Sequence, residues 1–334
     1  MAQRLTAEEG GGLGIPYLRG LWSRTLHDRV AAGDGASWER DQTLIHGLGL
    51  GLRETLSYLY ERRPTFEEFE RWIVAMNGGS VDPGTVARIN AALADAPQAA
   101  ADAIGDGASA LTADELAFFD EHGYVVLRNA VDRAAARAAE DAIWAYLEMD
   151  RDDPETWYTG RNVDGIWVPL IHHPALDANR ASPRIAAAFA QLWQRHDLWH
   201  TIDQCGFNPP ERSGWRFRGS GLHWDVSLVP PVPFGVQGIL YLVDVTPDQG
   251  AFTCVPGFHR RIDGWLRGLP EGADPRNEDL SGLETVSVGA GAGDLVIWHQ
   301  ALPHGASPNR TSRPRIVQYV SLYPAARDAS AVWR

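Results

Sequence analysis

The sequence predicts an α+β protein in which a helical N-terminal module precedes an all-β core with flanking helices. Three observations predict it. Apolar residues recur at helical spacing between residues 38 and 93, a stretch rich in Ala, Asp and Gly follows at 94–110, and from Trp199 onward short apolar runs alternate with Pro and Gly turns. The boundary falls near the linker, giving a helical module with linker over residues 1–105 and a β-rich domain over 106–334.

The elements follow in order. Residues 1 to about 36 are mixed, broken by Gly10-Gly11-Gly12 and Gly33-Asp34-Gly35. Leu52, Leu56, Leu59 and Tyr60 share a helical face, and Pro64-Thr65 closes that helix and opens another. Thr65 caps a run in which Phe66, Phe69, Trp72, Ile73 and Met76 form an apolar stripe, read as core. A third helix fits Pro83 to Leu93. Gly47-Leu48-Gly49-Leu50-Gly51 is not a dinucleotide loop, because Leu52 stands where the third Gly belongs and no strand precedes it. Thr112-Ala113-Asp114-Glu115 is a capping box opening a short helix through Phe119, and Gly123 leads into a strand at Tyr124-Val125-Val126-Leu127. Helices are expected over Val131 to Leu147 and Pro183 to Trp193, with a loop at His172-His173-Pro174 between them. Strands are expected at 238–245, 251–255, 285–288, 294–298 and 315–323.

The totals exclude several classes of function. With 30 basic against 43 acidic residues the net charge is −13, which argues against a protein that tracks nucleic-acid phosphates. The first ten residues hold no apolar core of a secretory signal, and no apolar run approaches the 18 or so residues that span a bilayer, so a cytoplasmic protein without membrane contact is expected. Cys205 and Cys254 are the only cysteines, which excludes a disulfide framework and reads as buried, reduced thiols. Neither Gly-x-Ser-x-Gly nor Gly-Lys-Ser/Thr occurs, which removes serine-hydrolase and phosphate-loop readings.

Chemistry concentrates at Gly221-Leu222-His223-Trp224-Asp225, read as entering a strand. Residues two apart on a strand share a face, so His223 and Asp225 point one way and Trp224 the other. One imidazole and one carboxylate on a wall make up two of the three ligands in the facial triad of non-haem Fe(II) oxygenases. The same residues also read as a surface His beside a turn Asp. Further along, Gly293-Asp294 turns into the strand Leu295-Val296-Ile297-Trp298-His299, and His304 follows. After the turn-rich Ala306-Ser307-Pro308-Asn309, Arg313-Pro314-Arg315 enters the strand Ile316-Val317-Gln318-Tyr319-Val320. A His ending one strand and an Arg beginning its hairpin partner sit at one end of a barrel. A small dicarboxylate can then chelate a metal at His304 and pair its far carboxylate with a guanidinium.

In these pieces, taken in order, the chain from about 111 to 325 resembles the phytanoyl-CoA dioxygenase family of Fe(II)/2-oxoglutarate oxygenases. The matching residues are Gly123 to Leu127, Leu222-His223-Trp224-Asp225, Gly250-Ala251-Phe252 with Pro256-Gly257-Phe258-His259, Gly293-Asp294, His304-Gly305, Asn309 and Arg315. The resemblance implies a double-stranded β-helix (a cupin-like jelly roll), Fe(II) held by His223, Asp225 and His304, and 2-oxoglutarate anchored by Arg315. Two oxygens of 2-oxoglutarate then leave one metal position for O2. Family members often carry Ser two residues past the distal His; here that place is Ala306, with Ser307 beside it as the alternative contact. Gln237, in a strand, either turns its amide into the barrel toward the cosubstrate or is a satisfied core amide. An intact Asp225 implies hydroxylation, since related halogenases have a small residue there.

Alternatives remain at each place. His299 competes with His304 as third ligand, and Arg313 shares strand parity with Arg315. His259 reads as structural, and His172 and His173 read as loop residues or as the lining of an entrance. The expected activity is hydroxylation of an unactivated C–H bond in a small molecule with release of succinate and CO2. Rival readings are desaturation, dealkylation or cyclisation, or a non-catalytic β-helix protein that binds a metal or small acid. A cupin hydrolase or isomerase is disfavoured because no His-x-His occurs. The N-terminal module, outside the resemblance, is the candidate surface for a homodimer or carrier-protein contact.

Overall fold

The structure is a computed structural model that describes residues 11–27, 35–94, 109–158, 165–219, 221–325, 327 and 334. The start of the chain, Gly33-Asp34 and most of the expected linker lie outside the described residues. The chain divides into two compact units: one drawn from Met1–Ala103, His196–Ile202 and Tyr323–Trp333, the other from Ile104–Arg195, Asp203–Leu322 and Arg334.

The first unit carries helices α1 (Pro16–Leu26), α2 (Gly35–Gly47), α3 (Leu52–Arg62), α4 (Phe66–Met76) and α5 (Pro83–Ala92). Helix α1 departs from the irregular start expected of the sequence: Pro16 sits in its first turn and Leu18 and Leu21 are buried. Helix α4 begins as its capping box dictates, with the Thr65 hydroxyl accepting from Glu68 N–H at 3.3 Å and the Glu68 carboxylate accepting from Thr65 N–H at 2.8 Å. Phe66, Phe69 and Ile73 of its apolar stripe are buried, Trp72 and Met76 are half-buried, and the Trp72 ring stacks on Tyr58 at 4.4 Å. The Gly-Leu repeat at 47–51 is the turn between α2 and α3, where Gly49 takes φ +71°.

The second unit mixes helices with antiparallel sheets. Its helices are α6 (Ala113–His122), α7 (Arg133–Leu147), α8 (Pro174–Arg180), α9 (Pro183–Trp193) and α10 (Ile262–Gly268). The strands of the chain are β1 (Tyr124–Leu127), β2 (Trp167–Val168), β3 (Leu198–His200), β4 (Cys205–Asn208), β5 (Val236–Tyr241), β6 (Phe252–Cys254), β7 (Val286–Val288), β8 (Leu295–His299), β9 (His304–Ala306), β10 (Arg315–Tyr319) and β11 (Leu322–Pro324). One sheet runs β1-β8-β5-β10-β4-β2 and a second runs β7-β6-β9. All their ladders are antiparallel.

Alternation along the strands separates the faces. On β4 and β10, Phe207 and Gln318 turn to the helices: Phe207 meets Trp144 of α7 edge to face at 5.3 Å, and Gln318 exchanges hydrogen bonds with Asn179 and the Leu176 carbonyl of α8. The opposite faces contribute Ile239, Tyr241, Val296, Trp298 and Val317 to one core with Phe252, Cys254 and Val288 of the second sheet. Tyr241 ties the sheets together, its hydroxyl donating to Val288 O at 2.8 Å and accepting from Phe252 N–H at 2.9 Å. Both cysteines are buried and free.

Some expectations need correction. Residues 221–225 are not a strand; only His223 makes a β-bridge, to His304. The single strand expected over 315–323 is two, β10 and β11, and the strand expected over 238–245 stops at Tyr241. His173 is not a plain loop residue. Its Nδ1 accepts the Ala175 N–H at 3.2 Å and so caps α8, a helix the sequence reading missed.

Candidate metal centre

The bridge between His223 and His304 positions the centre. His223 N–H donates to His304 O at 2.9 Å and His304 N–H donates back to His223 O at 3.0 Å, so two distant segments lie side by side. Opposed residues of such a pair project to one face. The two imidazole rings accordingly meet, with centroids 4.8 Å apart. Trp224 turns away into the core, its indole N–H donating to Ala301 O at 3.0 Å, which brings Asp225 back to the side of the histidines. Asp225 Oδ2 lies 3.2 Å from His304 Nε2, and Oδ1 lies 3.5 Å from His223 Nε2. One ligand atom from each of His223, Asp225 and His304 falls within 4.8 Å of the others.

The tautomers suit a cation. Nδ1 of His223 is 2.8 Å from Gly221 O and Nδ1 of His304 is 3.0 Å from Leu302 O. A carbonyl only accepts, so each Nδ1 carries the proton and each Nε2 presents its lone pair to the centre. Burial, followed by the charge of His304, lowers the His223 pKa and favours the neutral imidazole that a metal ligand must be. Burial works against ionisation of Asp225, but His304, His223 and the Gln237 amide outweigh it and hold the carboxyl below the usual range. Three lone-pair donors thus converge in the pattern of a two-His, one-carboxylate site. His304 is buried, flanked by Trp298 at 5.1 Å and Phe252 at 6.0 Å between ring centroids, while Asp225 stays 49% exposed on its open side.

A second group of polar atoms gathers around the start of β10. Arg315 opens β10 at 1% exposure, and its Nε and Nη2 have no hydrogen-bond partner among the described groups. Tyr319 hydrogen-bonds the guanidinium, and its two remaining nitrogens offer an incoming carboxylate a fork that would offset their desolvation. The Ser307 hydroxyl and Asn208 Oδ1 are likewise buried and unpartnered. Asn208 lies directly across the ladder from Arg315, and its Nδ2 donates to Ser307 O at 3.2 Å. Asn309 fixes the loop into β10 by donating to Asn208 O at 2.9 Å and Arg313 O at 2.7 Å. Gln237 donates from Nε2 to Asp225 Oδ2 at 3.0 Å and keeps Oε1 unpartnered, so it stands beside the carboxylate ligand.

The competing residues lie elsewhere. His299 accepts the Ala301 N–H at Nδ1 and packs against Phe234 and His259, outside the convergent group. Arg313 is exposed. His259 donates from Nε2 to Asp120 O at 3.0 Å and has a structural place, as expected. His172 is exposed. Asn208 escaped the sequence reading because nothing in Phe207-Asn208-Pro209-Pro210 marks it; only its register against Arg315 does. Trp298, whose Nε1 is buried and unpartnered beside His304, escaped in the same way.

Comparison with known proteins gives the following likenesses. A family model described as phytanoyl-CoA dioxygenase (PhyH) matches residues 119–317. A Dictyostelium discoideum protein named "Putative phytanoyl-CoA dioxygenase" is 22% identical over 260 residues, which is 63% of this chain and 74% of that one. Among solved structures, the non-haem α-ketoglutarate-dependent epimerase SnoN from nogalamycin biosynthesis is 20% identical, with a TM-score of 0.47 and coverage of 65% of this chain and 84% of its own. HygX from Streptomyces hygroscopicus, with nickel and 2-oxoglutarate bound, is 17% identical, with a TM-score of 0.44 and coverage of 64% and 88%.

Proposed function

The chain belongs to the phytanoyl-CoA dioxygenase family, and from that premise we propose that it is an Fe(II)- and 2-oxoglutarate-dependent dioxygenase hydroxylating an unactivated C–H bond of a small molecule. The observation that carries this reading is the convergence of His223, Asp225 and His304, in a chain that also holds a buried guanidinium with two unpartnered nitrogens at Arg315. The β-rich unit is then a double-stranded β-helix, with residues 106–334 as the oxygenase domain and 1–105 as a helical module with its linker. Among the described residues no helix is long and apolar enough to cross a membrane. A cytoplasmic setting, and a homodimer or carrier-protein contact through the module, complete the reading.

His223 and His304 hold the metal through Nε2 and Asp225 through its carboxylate, while Arg315 takes the far carboxylate of 2-oxoglutarate, assisted by Ser307. Bound iron supplies the chemistry that couples oxidative decarboxylation of 2-oxoglutarate by O2, giving succinate and CO2, to oxidation of the substrate. The protein's own share is positional. Gln237 and the two backbone carbonyls orient the ligands, and Trp298 and Phe252 keep water from the His304 side. A carboxylate at 225 favours hydroxylation, because it occupies the position that a halide needs.

The test is anaerobic addition of Fe(II) and 2-oxoglutarate, followed by aerobic screening of candidate substrates for succinate release. A weak visible charge-transfer band and substrate-dependent succinate are expected. A band without succinate under O2 favours a non-catalytic metal- and acid-binding protein. Succinate with a substrate product lacking new oxygen points to desaturation or cyclisation. Absence of both band and succinate overturns the assignment.

A further inference from the structure

Outside the triad, one half-buried contact bears on the proposed metal ligands from a segment the proposed chemistry does not use. Arg276 lies in a short 3-10 turn, Pro275–Asn277, capped by Asp274, whose side chain accepts the Arg276 N–H at 3.0 Å and the Asn277 amide at 2.9 Å. Its guanidinium reaches back to the chain around Asp225. Nη1 donates to Trp224 O at 2.7 Å and Nη2 donates to Val226 O at 2.6 Å. Nη2 also donates to Arg334 O at 3.1 Å, and that same carbonyl accepts the Leu228 N–H at 2.9 Å.

Asp225 lies outside any strand and its side chain is half exposed, so neither a ladder nor core packing fixes its torsions. Its neighbours are held better: His223 by the bridge to His304, and Trp224 by burial and the bond to Ala301. The fork holds the Trp224 and Val226 carbonyls, so the torsions of Asp225 and Val226 lie between two fixed peptide units and are restrained together. We propose that Arg276 is a positioning residue for the metal-binding carboxylate, holding Asp225 in ligating geometry through the Trp224 and Val226 carbonyls. The inference rests on the assignment of His223, Asp225 and His304 as metal ligands. Outer partners that orient ligands characteristically cost about 10- to 100-fold in metal affinity when removed.

The experiment is an anaerobic titration of the full chain with Co(II), followed by d–d absorption, on wild type, Arg276→Gln, Arg276→Lys and His304→Ala. His304→Ala is expected to lose the site. Arg276→Gln should bind Co(II) about 10-fold more weakly. Arg276→Lys keeps the charge but bonds one carbonyl, and should be about 3-fold weaker or more. At saturating metal the KM for 2-oxoglutarate should stay at its wild-type value in both Arg276 variants. Wild-type Co(II) affinity in Arg276→Gln, with only a lowered melting temperature, makes Arg276 a loop staple and overturns the proposal while the triad stands. If Arg276→Gln does not fold, wild-type affinity in Arg276→Lys overturns it equally. Undiminished binding in His304→Ala removes the triad assignment itself.

Discussion

Asp225 and His304, 79 residues apart in the chain, bring Oδ2 and Nε2 to 3.2 Å with no covalent or helical constraint between them. The contact is produced by two separate devices: the bridge that sets His304 opposite His223, and the burial of Trp224, which turns the next residue to the side of the two histidines. Side-chain alternation then does the rest.

Removing either end should therefore empty the site without unfolding the protein. Asp225→Ala and His304→Ala are expected to weaken metal binding by more than the roughly 10- to 100-fold typical of an outer partner. Substrate-dependent succinate release should vanish in both. Gln237→Ala, which removes a hydrogen bond to the ligand carboxylate and not the ligand, should fall within that 10- to 100-fold range. Metal titration by absorption decides. A Gln237 variant weaker than the Asp225 variant would reverse the assigned order.

Arg315 and Arg313 separate cleanly. Arg315 is buried with two unpartnered nitrogens, whereas Arg313 is exposed. Truncating one partner of a buried charge pair costs about 2 kcal/mol or more, roughly 30-fold in affinity. Arg315→Ala should raise the KM for 2-oxoglutarate by at least that factor, and Arg313→Ala should leave it near wild type. Initial rates of succinate formation against 2-oxoglutarate concentration test the pair, and the opposite ranking would transfer the anchoring role to Arg313.

Much of this was readable from the chain because the relevant rules are local. The capping boxes at Thr65 and Thr112 mark helix starts within one residue, and the His-x-Asp spacing places two side chains on one side even where the strand shrinks to a single bridge. The resemblance supplied what spacing could not, namely which later His returns to His223. Register is non-local and stayed hidden: Asn208 acquires meaning only by lying opposite Arg315, and Arg276 only by folding back on Trp224 and Val226. Helix α1 is short and follows Gly10-Gly11-Gly12, so the breakers masked its apolar face of Leu18, Leu21 and Trp22, and packing decides it more than propensity.

Gly250 shows how a motif glycine makes room for Asn208. Its φ is +70°, and a Cβ there would lie 2.2 Å from Asn208 Nδ2, the atom bonded to Ser307 O. Left-handed strain and displacement of Asn208 together should cost about 1 to 3 kcal/mol in Gly250→Ala. The expected result is a lower urea midpoint with a raised KM for 2-oxoglutarate. Loss of stability with an unchanged KM would detach Asn208 and Ser307 from cosubstrate binding.

Acid sensitivity should come in part from His299, away from the metal. Burial, with the charge of His259 added, pushes its pKa down to about 3. Its Nδ1 lone pair is already engaged by the Ala301 N–H at 3.0 Å, so a proton there would break that bond. In the unfolded chain a histidine titrates at about 6.5. Above that pH neither state carries the proton and His299 adds no pH dependence. Below it the unfolded chain binds a proton that the folded protein refuses, so stability falls as pH drops from about 6.5 toward 3, by at most about 1.4 kcal/mol per pH unit. His299→Gln keeps a polar side chain but cannot titrate. Urea unfolding at pH 7, 6 and 5 should show the variant losing stability less steeply than wild type over this window. Parallel curves would mean that the folded protein accommodates the imidazolium and would overturn the expectation drawn from its packing against Phe234 and His259.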